Sequence, residues 1–266
     1  MIVLLRRLEY SILRRLFVTA QGWASQEEGM KANLKAGVRV LDHGYIRLIE
    51  TWGCGDAQIA EAGIIEAARQ STQGSFRGWE QDEKLLQFLY DNKHATPFEF
   101  CGAIIEVQAP IFVFREWHRH RTQSYNEMSA RYEPLPDLNY IPTVERIMLD
   151  QGKNIQSSAI KGAERLTEQA ATIFQSELRE HYAESEELYQ ESLISGIPKE
   201  LARCCIPVGR YSRMRASANL RNWMGFLTLR LSSHAQWEIR KYAHAVYDLL
   251  NNEFPKTMDL FATTQA

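Results

Sequence analysis

Residues 119–131 read R-H-R-T-Q-S-Y-N-E-M-S-A-R, a run in which arginines alternate with small polar side chains. Arg119, Arg121 and Arg131 each carry a planar, permanently charged guanidinium whose N–H groups suit a phosphate. Ser124 and Asn126 lie between these arginines. Small hydroxyl and amide groups of this kind are what a phosphate-and-base pocket needs. The stretch therefore predicts a binding site for a phosphorylated small molecule, with a solvated, salt-bridged surface as the alternative.

The composition is that of an ordinary globular protein with a nearly balanced charge. The chain has 266 residues, of which 45% are hydrophobic and 24% charged, and its formal net charge is −2. Such a chain has no general attraction to nucleic acid or to anionic lipid, so a local basic cluster must bind any anion. We expect no nucleic-acid partner. We also expect no membrane partner, because no apolar run approaches the roughly 18 residues that span a bilayer.

The N-terminal residues 1–35 form a separate case. Residues 1–20 contain four arginines and an apolar face at helical spacing. Because the arginines interrupt every apolar stretch, a secretory signal is not expected. We favour a docking helix or a start codon read in error upstream of Met30, while organelle import and membrane-surface binding stay open. The sequence thus predicts an accessory amphipathic extension over residues 1–35, a single domain over residues 36–266 and a cytoplasmic location.

Apolar periodicity predicts an α+β fold with one sheet and several long helices. Alternating residues indicate two strands over residues 37–52, joined by a turn at residues 42–44, and a third strand over residues 103–109. Helical spacing predicts helices over residues 56–70, 80–92 and 157–195. A short helix opened by Pro198 and a last strong helix beginning near Ala216 complete the outline.

Single residues refine these predictions. Asp56 is a plausible N-cap for the helix over residues 56–70. Pro97 favours an extended Thr96, so residues 94–100 are expected to form a turn or the entrance to a strand. Pro110 fits the first position of a helix, and Arg115 and Arg119 would then share one face because they are four residues apart.

The predicted C-terminal helix has an unusual polar side. Arg230 and His234 are four residues apart, and Asn219 lies three turns before Arg230, so all three fall near one side while Arg221 is offset. A helix that faces only water would more often use Lys and Glu pairs. This pattern favours a binding surface, although an interface between subunits explains it equally well.

The histidine and cysteine spacings suggest no metal site. His118 and His120 have no nearby third ligand, and the sequence contains no H-E-x-x-H motif. The four cysteines form no C-x-x-C pair and are expected to be buried small residues in a reducing compartment. No cysteine has a recognisable activating neighbour, and Ser129 is interpreted as a ligand contact rather than a nucleophile.

Three motifs together resemble the flavin-dependent thymidylate synthases. The first is R-H-R, seven residues and then S, which Arg119, His120, Arg121 and Ser129 match within a wider S-x-N-E-x-S-x-R pattern. The second is H-A-T-P-F-E at residues 94–99. The third is N-L-R at residues 219–221, followed by L-R and S-H-A-Q-W-E up to residue 238. The resemblance covers roughly residues 37–255.

The resemblance implies a fold, a reaction and an assembly. The family fold is a mixed α/β core sheet flanked by long helices. The expected reaction is reductive methylation of dUMP to dTMP, with 5,10-methylenetetrahydrofolate as the carbon donor. Tightly bound FAD, reduced by NADPH, would carry the hydride. The family assembles as a homotetramer with active sites at subunit interfaces, so residues 36–266 would form a single catalytic domain that associates with copies of itself.

The resemblance also implies roles for individual residues. Arg230 would be the catalytic residue, because a guanidinium beside the pyrimidine ring lowers the free-energy cost of negative charge there. FAD would be bound by Ser71, His94, Thr96, Glu99, Arg119, His120, Arg121, Glu127, Asn219, Arg221 and His234. The dUMP site would contain Glu116, Arg119, Glu127, Ser129, Ala130, Arg131, Arg203 and Arg230.

Three positions depart from the family pattern. Glu116 replaces the usual Gln, and a carboxylate near the nucleotide phosphate would repel it unless Arg115 or Arg119 neutralises the charge. Ala130 replaces a Gly, which raises the question of a positive φ there, and Gly225 replaces an Asn that commonly contacts the flavin. These departures leave modification of another pyrimidine nucleotide, such as hydroxymethylation, as an alternative. An arginine-rich nucleic-acid binding module is a further, weaker alternative.

Overall fold

The computed structural model of the chain describes residues 37–56, 58–72, 74–149 and 166–265. The extension predicted over residues 1–35 and the first part of the helix predicted over residues 157–195 lie outside the described residues. Within them, one sheet packs against several helices, so the predicted α+β class is confirmed.

Five strands of the described residues form one sheet, in which every neighbouring pair is antiparallel. Strand β3 is central and pairs with β5 over nine residues, from Gly102 opposite Asn219 to Pro110 opposite Tyr211. The edge strand β4 carries the middle of the 119–131 stretch. The strands are β1 Val38–Val40, β2 Gly44–Trp52, β3 Gly102–Pro110, β4 Ser124–Glu127 and β5 Tyr211–Asn219, in the spatial order β1-β2-β3-β5-β4.

The α-helices are numbered in the order in which they occur along the chain. Three single turns of 3-10 helix, Gln70–Thr72, Thr96–Glu99 and Arg203–Cys205, separate some of them. The α-helices of the described residues are α1 Ala62–Arg69, α2 Trp79–Asp91, α3 Ile111–Trp117, α4 Val144–Met148, α5 Glu168–Ile194, α6 Lys199–Ala202, α7 Leu220–Arg230, α8 Trp237–Glu253 and α9 Pro255–Gln265.

Alternate residues of the central strands build the core. Ala103 and Ile105 of β3 and Met214 and Ala216 of β5 are buried, as the two-residue period of a strand requires. Trp223 of α7 packs on this face and donates a hydrogen bond from Nε1 to the Ala103 carbonyl oxygen (3.1 Å). Helix α7 is therefore fixed to the centre of the sheet.

The predicted hairpin at the N-terminal side of the sheet is confirmed. Strands β1 and β2 pair through a turn at residues 41–43, in which Leu41 has a φ of 60°. Gly44 follows at a point of close backbone approach. A Cβ there would lie 2.0 Å from the Tyr242 hydroxyl and 2.5 Å from the Val40 carbonyl oxygen, so no larger residue fits.

The predicted helix over residues 56–70 begins later than expected. Helix α1 starts at Ala62, and Asp56 is not its N-cap. The N–H of Asp56 instead donates to the Glu66 carboxylate (3.0 Å), and Gln58 and Glu61 have positive φ values of 53° and 70°. A helix cannot run through residues in the left-handed region, which is why it starts after Glu61.

The turn predicted within residues 94–100 is confirmed, but two details beside prolines are wrong. Thr96 is not extended, because it opens the 3-10 turn Thr96–Glu99 with Pro97 in its first positions. Pro110 is the last residue of β3 and the N-cap of α3, which ends at Trp117. Arg119 therefore lies beyond the helix and does not share a helical face with Arg115.

The region around Ala216 differs most from its prediction. Residues 211–219 form strand β5, and the helix begins only at Leu220, with Asn219 as its N-cap. The helix also ends at Arg230, so His234 lies past its end and the predicted common face of Arg230 and His234 is wrong. Leu220, Trp223 and Leu227 of this helix are buried and recur at helical spacing.

Helix α5 confirms the helix predicted over residues 157–195 for the part of this range that the structure describes. It is 27 residues long, and only Ala171, Ser185 and Tyr189 are buried, whereas Ile173 and Phe174 are exposed. Among the described helices, including this one, none has the length and apolar character that crossing a bilayer requires.

The cysteine prediction holds only in part. Cys101 is buried and Cys54 and Cys205 are half-buried, but Cys204 is exposed. Cys204 lies in the 3-10 turn Arg203–Cys205, which buries none of its residues. All four cysteines have free thiols.

Candidate active site

The 119–131 stretch folds as a tight turn that leads into the edge strand β4. After α3 ends, the N–H of His120 donates to the Trp117 carbonyl oxygen (3.0 Å). The Tyr125 hydroxyl donates to the His120 carbonyl oxygen (2.7 Å). The imidazole of His120 packs edge-on against Phe226 of α7, with the ring centres 4.8 Å apart. These contacts hold the turn against the C-terminal end of α7.

Arg230 joins this turn to α3 through three hydrogen bonds. Its Nε–H donates to His120 Nε2 (2.9 Å), its Nη1–H to Glu116 Oε2 (2.9 Å) and its Nη2–H to the Glu116 carbonyl oxygen (2.7 Å). The Arg230 side chain is 14% exposed, so the guanidinium is largely removed from water. A cation fixed on three sides in this way is preorganised to meet negative charge.

His120 is the neutral member of this cluster. Its pKa is lowered from 6.5 to about 4, first by burial and second by the positive charge of Arg230, while Glu116 acts in the opposite direction. The imidazole is therefore uncharged at neutral pH. Because Nε2 accepts the Arg230 hydrogen bond, the single ring proton is assigned to Nδ1.

A second group of predicted residues lies beside α6. The Ser129 hydroxyl accepts from the N–H of Arg131 (3.3 Å), and Arg131 Nε lies 3.3 Å from Glu200 Oε2. Arg203 donates from Nε to the Glu200 carbonyl oxygen (3.3 Å). Arg131 and Arg203 thus contact the same residue, which supports their grouping in one anion site. Both side chains are exposed and can reorient toward a phosphate.

A groove of about 420 Å³ lies between α2, the Thr96–Glu99 turn, α7 and α9. It is lined by two of the predicted flavin residues, His94 and Arg221, and by Gly225. Arg221 forms an ion pair with Glu99 across the groove edge. Asn219 caps α7 by accepting a hydrogen bond from the N–H of Asn222 (2.9 Å), and Arg221 lies in the first turn of this helix.

The groove suits part of a flavin dinucleotide. Its floor is apolar, through Phe98, Met224 and Phe261, and Arg221 offers a cation at one edge. A Cβ added to Gly225 would meet no heavy atom within 4 Å, so the helix surface at this point leaves open space beside the groove. A volume of this size, an apolar floor and a few polar groups at the rim are typical of a cofactor site.

The other predicted residues lie at several places on the surface. Arg119 and Arg121 are exposed on the turn, and Thr96 is exposed at the start of its 3-10 turn. Glu127 ends β4, with Oε2 3.9 Å from His118 Nε2. His234 lies in the segment between α7 and α8, and Ser71 lies in the turn after α1, where its hydroxyl donates to the Ala68 carbonyl oxygen (3.2 Å).

Several contributors to the site escaped sequence reasoning. Tyr125 lies inside the quoted stretch but was not recognised as the residue that fixes the turn. Glu200 and the α9 residues Phe261 and Thr264 reach the site from distant parts of the chain. Contacts of this kind leave no local sequence pattern. Within the described part of the chain, no cluster of three or more His, Cys, Asp or Glu side chains could hold a metal ion.

The motifs and the fold agree with comparisons to known proteins. The family model described as thymidylate synthase complementing protein matches residues 47–256. The flavin-dependent thymidylate synthase of Thermosipho africanus is 35% identical over 84% of this chain and 92% of that protein. The chain belongs to the flavin-dependent thymidylate synthase family.

Other members and a solved structure extend this comparison. The flavin-dependent thymidylate synthase of Rickettsia prowazekii is 34% identical over 87% of this chain and 80% of its own length. A crystal structure of a UMP/dUMP methylase PolB from Streptomyces cacaoi, bound with 5-Br dUMP, superimposes with a TM-score of 0.71 at 29% identity. That match covers 85% of this chain and 97% of PolB.

The structure accounts for two of the departures from the family pattern. Glu116 is neutralised by Arg230, not by Arg115 or Arg119 as the sequence suggested. Ala130 is buried, and its φ is not positive, so the replacement of Gly by Ala introduces no backbone strain. A family member can therefore carry Ala at this position without rearranging the loop between Ser129 and Arg131.

Proposed function

We propose that the protein methylates dUMP reductively to dTMP. In the proposed reaction, 5,10-methylenetetrahydrofolate supplies the carbon and NADPH supplies the electrons, and the other products are tetrahydrofolate and NADP⁺. FAD, when bound, carries the hydride between NADPH and the transferred carbon. The observation that carries the proposal is the cluster of Arg230, His120 and Glu116, in which the guanidinium at the end of α7 contacts the 119–131 turn and is preorganised for an anionic ring.

Arg230 is the residue to which we assign the chemistry. A guanidinium has five N–H groups, and the three hydrogen bonds to His120 and Glu116 use three of them. Two N–H groups remain that no described residue accepts. Directed at a carbonyl oxygen of the pyrimidine ring, they would stabilise negative charge on the ring and make its C5 carbon a better nucleophile.

The phosphate of dUMP is assigned to the group beside α6. Ser129, Arg131 and Arg203 supply a hydroxyl and two guanidinium groups, and their common neighbour Glu200 is itself 54% exposed. The Arg131–Glu200 pair is therefore well solvated and of little energetic consequence. An incoming phosphate with two negative charges can exchange with this carboxylate at low cost.

The flavin is assigned to the groove next to Arg221. His94 and Arg221 line it, Glu99 forms an ion pair with Arg221, and Thr96 belongs to the same 3-10 turn as Glu99. Ser71, Asn219 and His234 are assigned to the same cofactor through the resemblance to the family. Arg119, His120, Arg121 and Glu127 would lie between flavin and nucleotide, and Glu116 and Ala130 would border the nucleotide.

A homotetramer with sites shared between subunits is part of the proposal. It is supported by the exposed apolar side chains Ile173, Phe174 and Leu188 on α5, a helix that buries few residues within its own chain. Such a surface usually packs against another protein chain. Mass measurement by light scattering tests this point, and a monomer that is fully active would contradict it.

The proposed reaction is tested by product analysis with each component omitted in turn. We expect dTMP only when dUMP, methylenetetrahydrofolate, NADPH and the flavin-loaded protein are all present. Replacing Arg230 by Gln should lower the rate by about 100-fold to 1,000-fold, the range for removing one preorganised charge-stabilising donor. Arg39→Gln, an exposed arginine on β1 far along the chain from the motifs, is the matched control and should leave the rate unchanged.

Mass spectrometry separates the alternatives. A hydroxymethyl product is heavier than dTMP by one oxygen and would favour the alternative pyrimidine modification. UMP should be assayed beside dUMP, because the similar solved structure is described as a UMP/dUMP methylase. A folded protein that takes up no flavin and forms neither product would contradict the proposed function.

A further inference from the structure

The two arginines of the proposed phosphate site are exposed, and their mutual contacts are weak. The ion pair of Arg131 with Glu200 is solvated on both sides, with the two side chains 52% and 54% exposed. Such a pair does little to fix the position of either side chain. The spacing between Arg131 and Arg203 therefore depends on the backbone segments that carry them. These are the loop of residues 128–138 and the 3-10 turn Arg203–Cys205.

Helix α5 holds the 3-10 turn through Ser185. The Ser185 hydroxyl is buried and donates to the carbonyl oxygen of Cys205 (2.5 Å). The Cys205 thiol donates to the carbonyl oxygen of Ala202 (3.2 Å) and lies 3.7 Å from the carbonyl oxygen of Ser185. Because Arg203 lies between Ala202 and Cys205, its backbone is held on both sides.

The next residue of α5 holds the loop of residues 128–138. Glu186 forms an ion pair with Nη2 of Arg210, whose side chain has no exposed surface. Nη1 of the same guanidinium donates to the Pro136 carbonyl oxygen (3.1 Å) and lies 3.4 Å from Asp137 Oδ1. A buried guanidinium loses much free energy when it is separated from a charged partner. Arg210 is therefore a firm link between α5 and the loop.

The same loop is closed on strand β5. At its start the N–H of Met128 donates to the Arg213 carbonyl oxygen (2.8 Å), and at its end the N–H of Tyr211 donates to the Leu138 carbonyl oxygen (2.8 Å). Any movement of the loop at Pro136 must then be taken up by the residues between these two ends. Arg131 is one of them, so its position depends on the link that Arg210 makes to α5.

We propose that Ser185 and Glu186 are positioning residues of the phosphate site, which set the spacing between Arg131 and Arg203. Adjacent residues of one helix hold the two segments, so the helix is a rigid support behind two exposed ligands. The inference rests on the proposed function, because it requires the dUMP phosphate to lie between the two arginines. This part of α5 then contributes to nucleotide binding, separately from the exposed apolar surface of the same helix.

Removing the phosphate from the ligand tests the proposal. Deoxyuridine has the base and the sugar of dUMP but no phosphate. The dissociation constants of both compounds are measured by calorimetry on the full-length, flavin-loaded protein. The ratio of the deoxyuridine constant to the dUMP constant reports how much the phosphate strengthens binding. A variant that misplaces only the phosphate ligands lowers this ratio, whereas general damage to the fold weakens the binding of both compounds equally.

Variants at Ser185 test the link to the 3-10 turn. Ser185→Ala removes the donor to the Cys205 carbonyl oxygen and should lower the ratio about threefold to tenfold, the size expected for one lost hydrogen bond. Ser185→Thr keeps a hydroxyl and should restore the wild-type ratio. Ser192→Ala is the matched control, because the Ser192 hydroxyl donates to a carbonyl oxygen of α5 itself, that of Leu188 (2.8 Å). It should leave the ratio unchanged.

Glu186→Gln tests the link to the loop. The amide has the shape of the carboxylate but lacks the charge that faces the buried Arg210. We expect the ratio to fall at least as far as in Ser185→Ala, because breaking a buried charge pair costs more free energy than losing a neutral hydrogen bond. Thermal unfolding and the flavin absorbance band report whether each variant is folded. If Glu186→Gln does not fold, Ser185→Ala decides alone.

The wild-type ratio and the variant ratios test different claims. An unchanged ratio in Ser185→Ala and in folded Glu186→Gln would overturn the positioning role. Equal weakening of dUMP and deoxyuridine in these variants would overturn it as well, because the effect would then not depend on the phosphate. Wild-type protein that binds dUMP no more tightly than deoxyuridine would instead overturn the assignment of the phosphate in the proposed function.

Discussion

The protonation of His120 offers the sharpest physical prediction. In the structure its Nε2 accepts a hydrogen bond from Arg230, and its pKa is lowered from 6.5 to about 4, first by burial and then by the Arg230 charge. Replacing Arg230 by Gln removes the second cause but not the first. The pKa of His120 should therefore rise by about 1 pKa unit, within the range that one neighbouring charge typically produces, and stay below 6.5.

The sign of the associated stability change follows from proton binding. As the pH falls from about 6.5 to about 4, His120 gains a proton in the unfolded chain but not in the folded protein. The folded state therefore loses stability in this window. The full pKa change corresponds to at most about 3.4 kcal/mol, and solvent contact of the ring reduces our expectation to about 1–2 kcal/mol. In Arg230→Gln the pKa of His120 in the folded state is higher. The pH range over which the folded state loses stability should therefore end at a higher pH than in wild type.

The pKa can be measured directly by nuclear magnetic resonance of protein labelled at histidine. The His120 signal is assigned by its loss in a His120→Gln variant. We expect a wild-type value of about 4, a higher value in Arg230→Gln and a lower value in Glu116→Gln, because Glu116 raises the pKa. A wild-type value near 6.5, or a change of the same sign in both variants, would refute this account of the cluster.

Three further predictions concern flavin retention and fold stability. Gly225→Asn should slow flavin loss during gel filtration by about tenfold, because an added side chain fits the open space beside the groove; equal retention would contradict this assignment. Glu61→Gln should lower the free energy of unfolding in urea by about 1–3 kcal/mol, because the buried carboxylate accepts hydrogen bonds from the hydroxyl and the N–H of Thr257. Gly44→Ala should lower the thermal midpoint by at least several degrees through its clash with Tyr242, and an unchanged midpoint would show that the hairpin can shift.

Much of the fold could be predicted from local patterns. The hairpin over residues 38–52, strand β3 and helix α2 follow from clear alternation or helical spacing. Strand β5 did not, because small residues such as Ala216 and Ala218 form its buried side and give little hydrophobic contrast. Its identity as a strand depends on pairing with β3, more than 100 residues away in sequence.

The sequence predicted which residues belong to the site, but it did not predict which of them contact one another. The motifs named Arg230, His120 and Glu116 separately, whereas the structure shows that they form one hydrogen-bonded cluster. The sequence suggested Arg115 or Arg119 as the partner of Glu116, because they are its near neighbours in the chain. The observed partner is 114 residues away, and only the packing of α7 beside α3 brings it there.

The central claim is that nucleotide and flavin share one site built around Arg230. It is tested most directly by titrating dUMP into the purified, flavin-loaded protein while following the visible absorbance of the flavin, in wild type and in Arg230→Gln. The account predicts a saturable change of the flavin spectrum in wild type and at least about tenfold weaker binding in the variant. An unchanged spectrum with dUMP bound, or equal binding by both proteins, would contradict it.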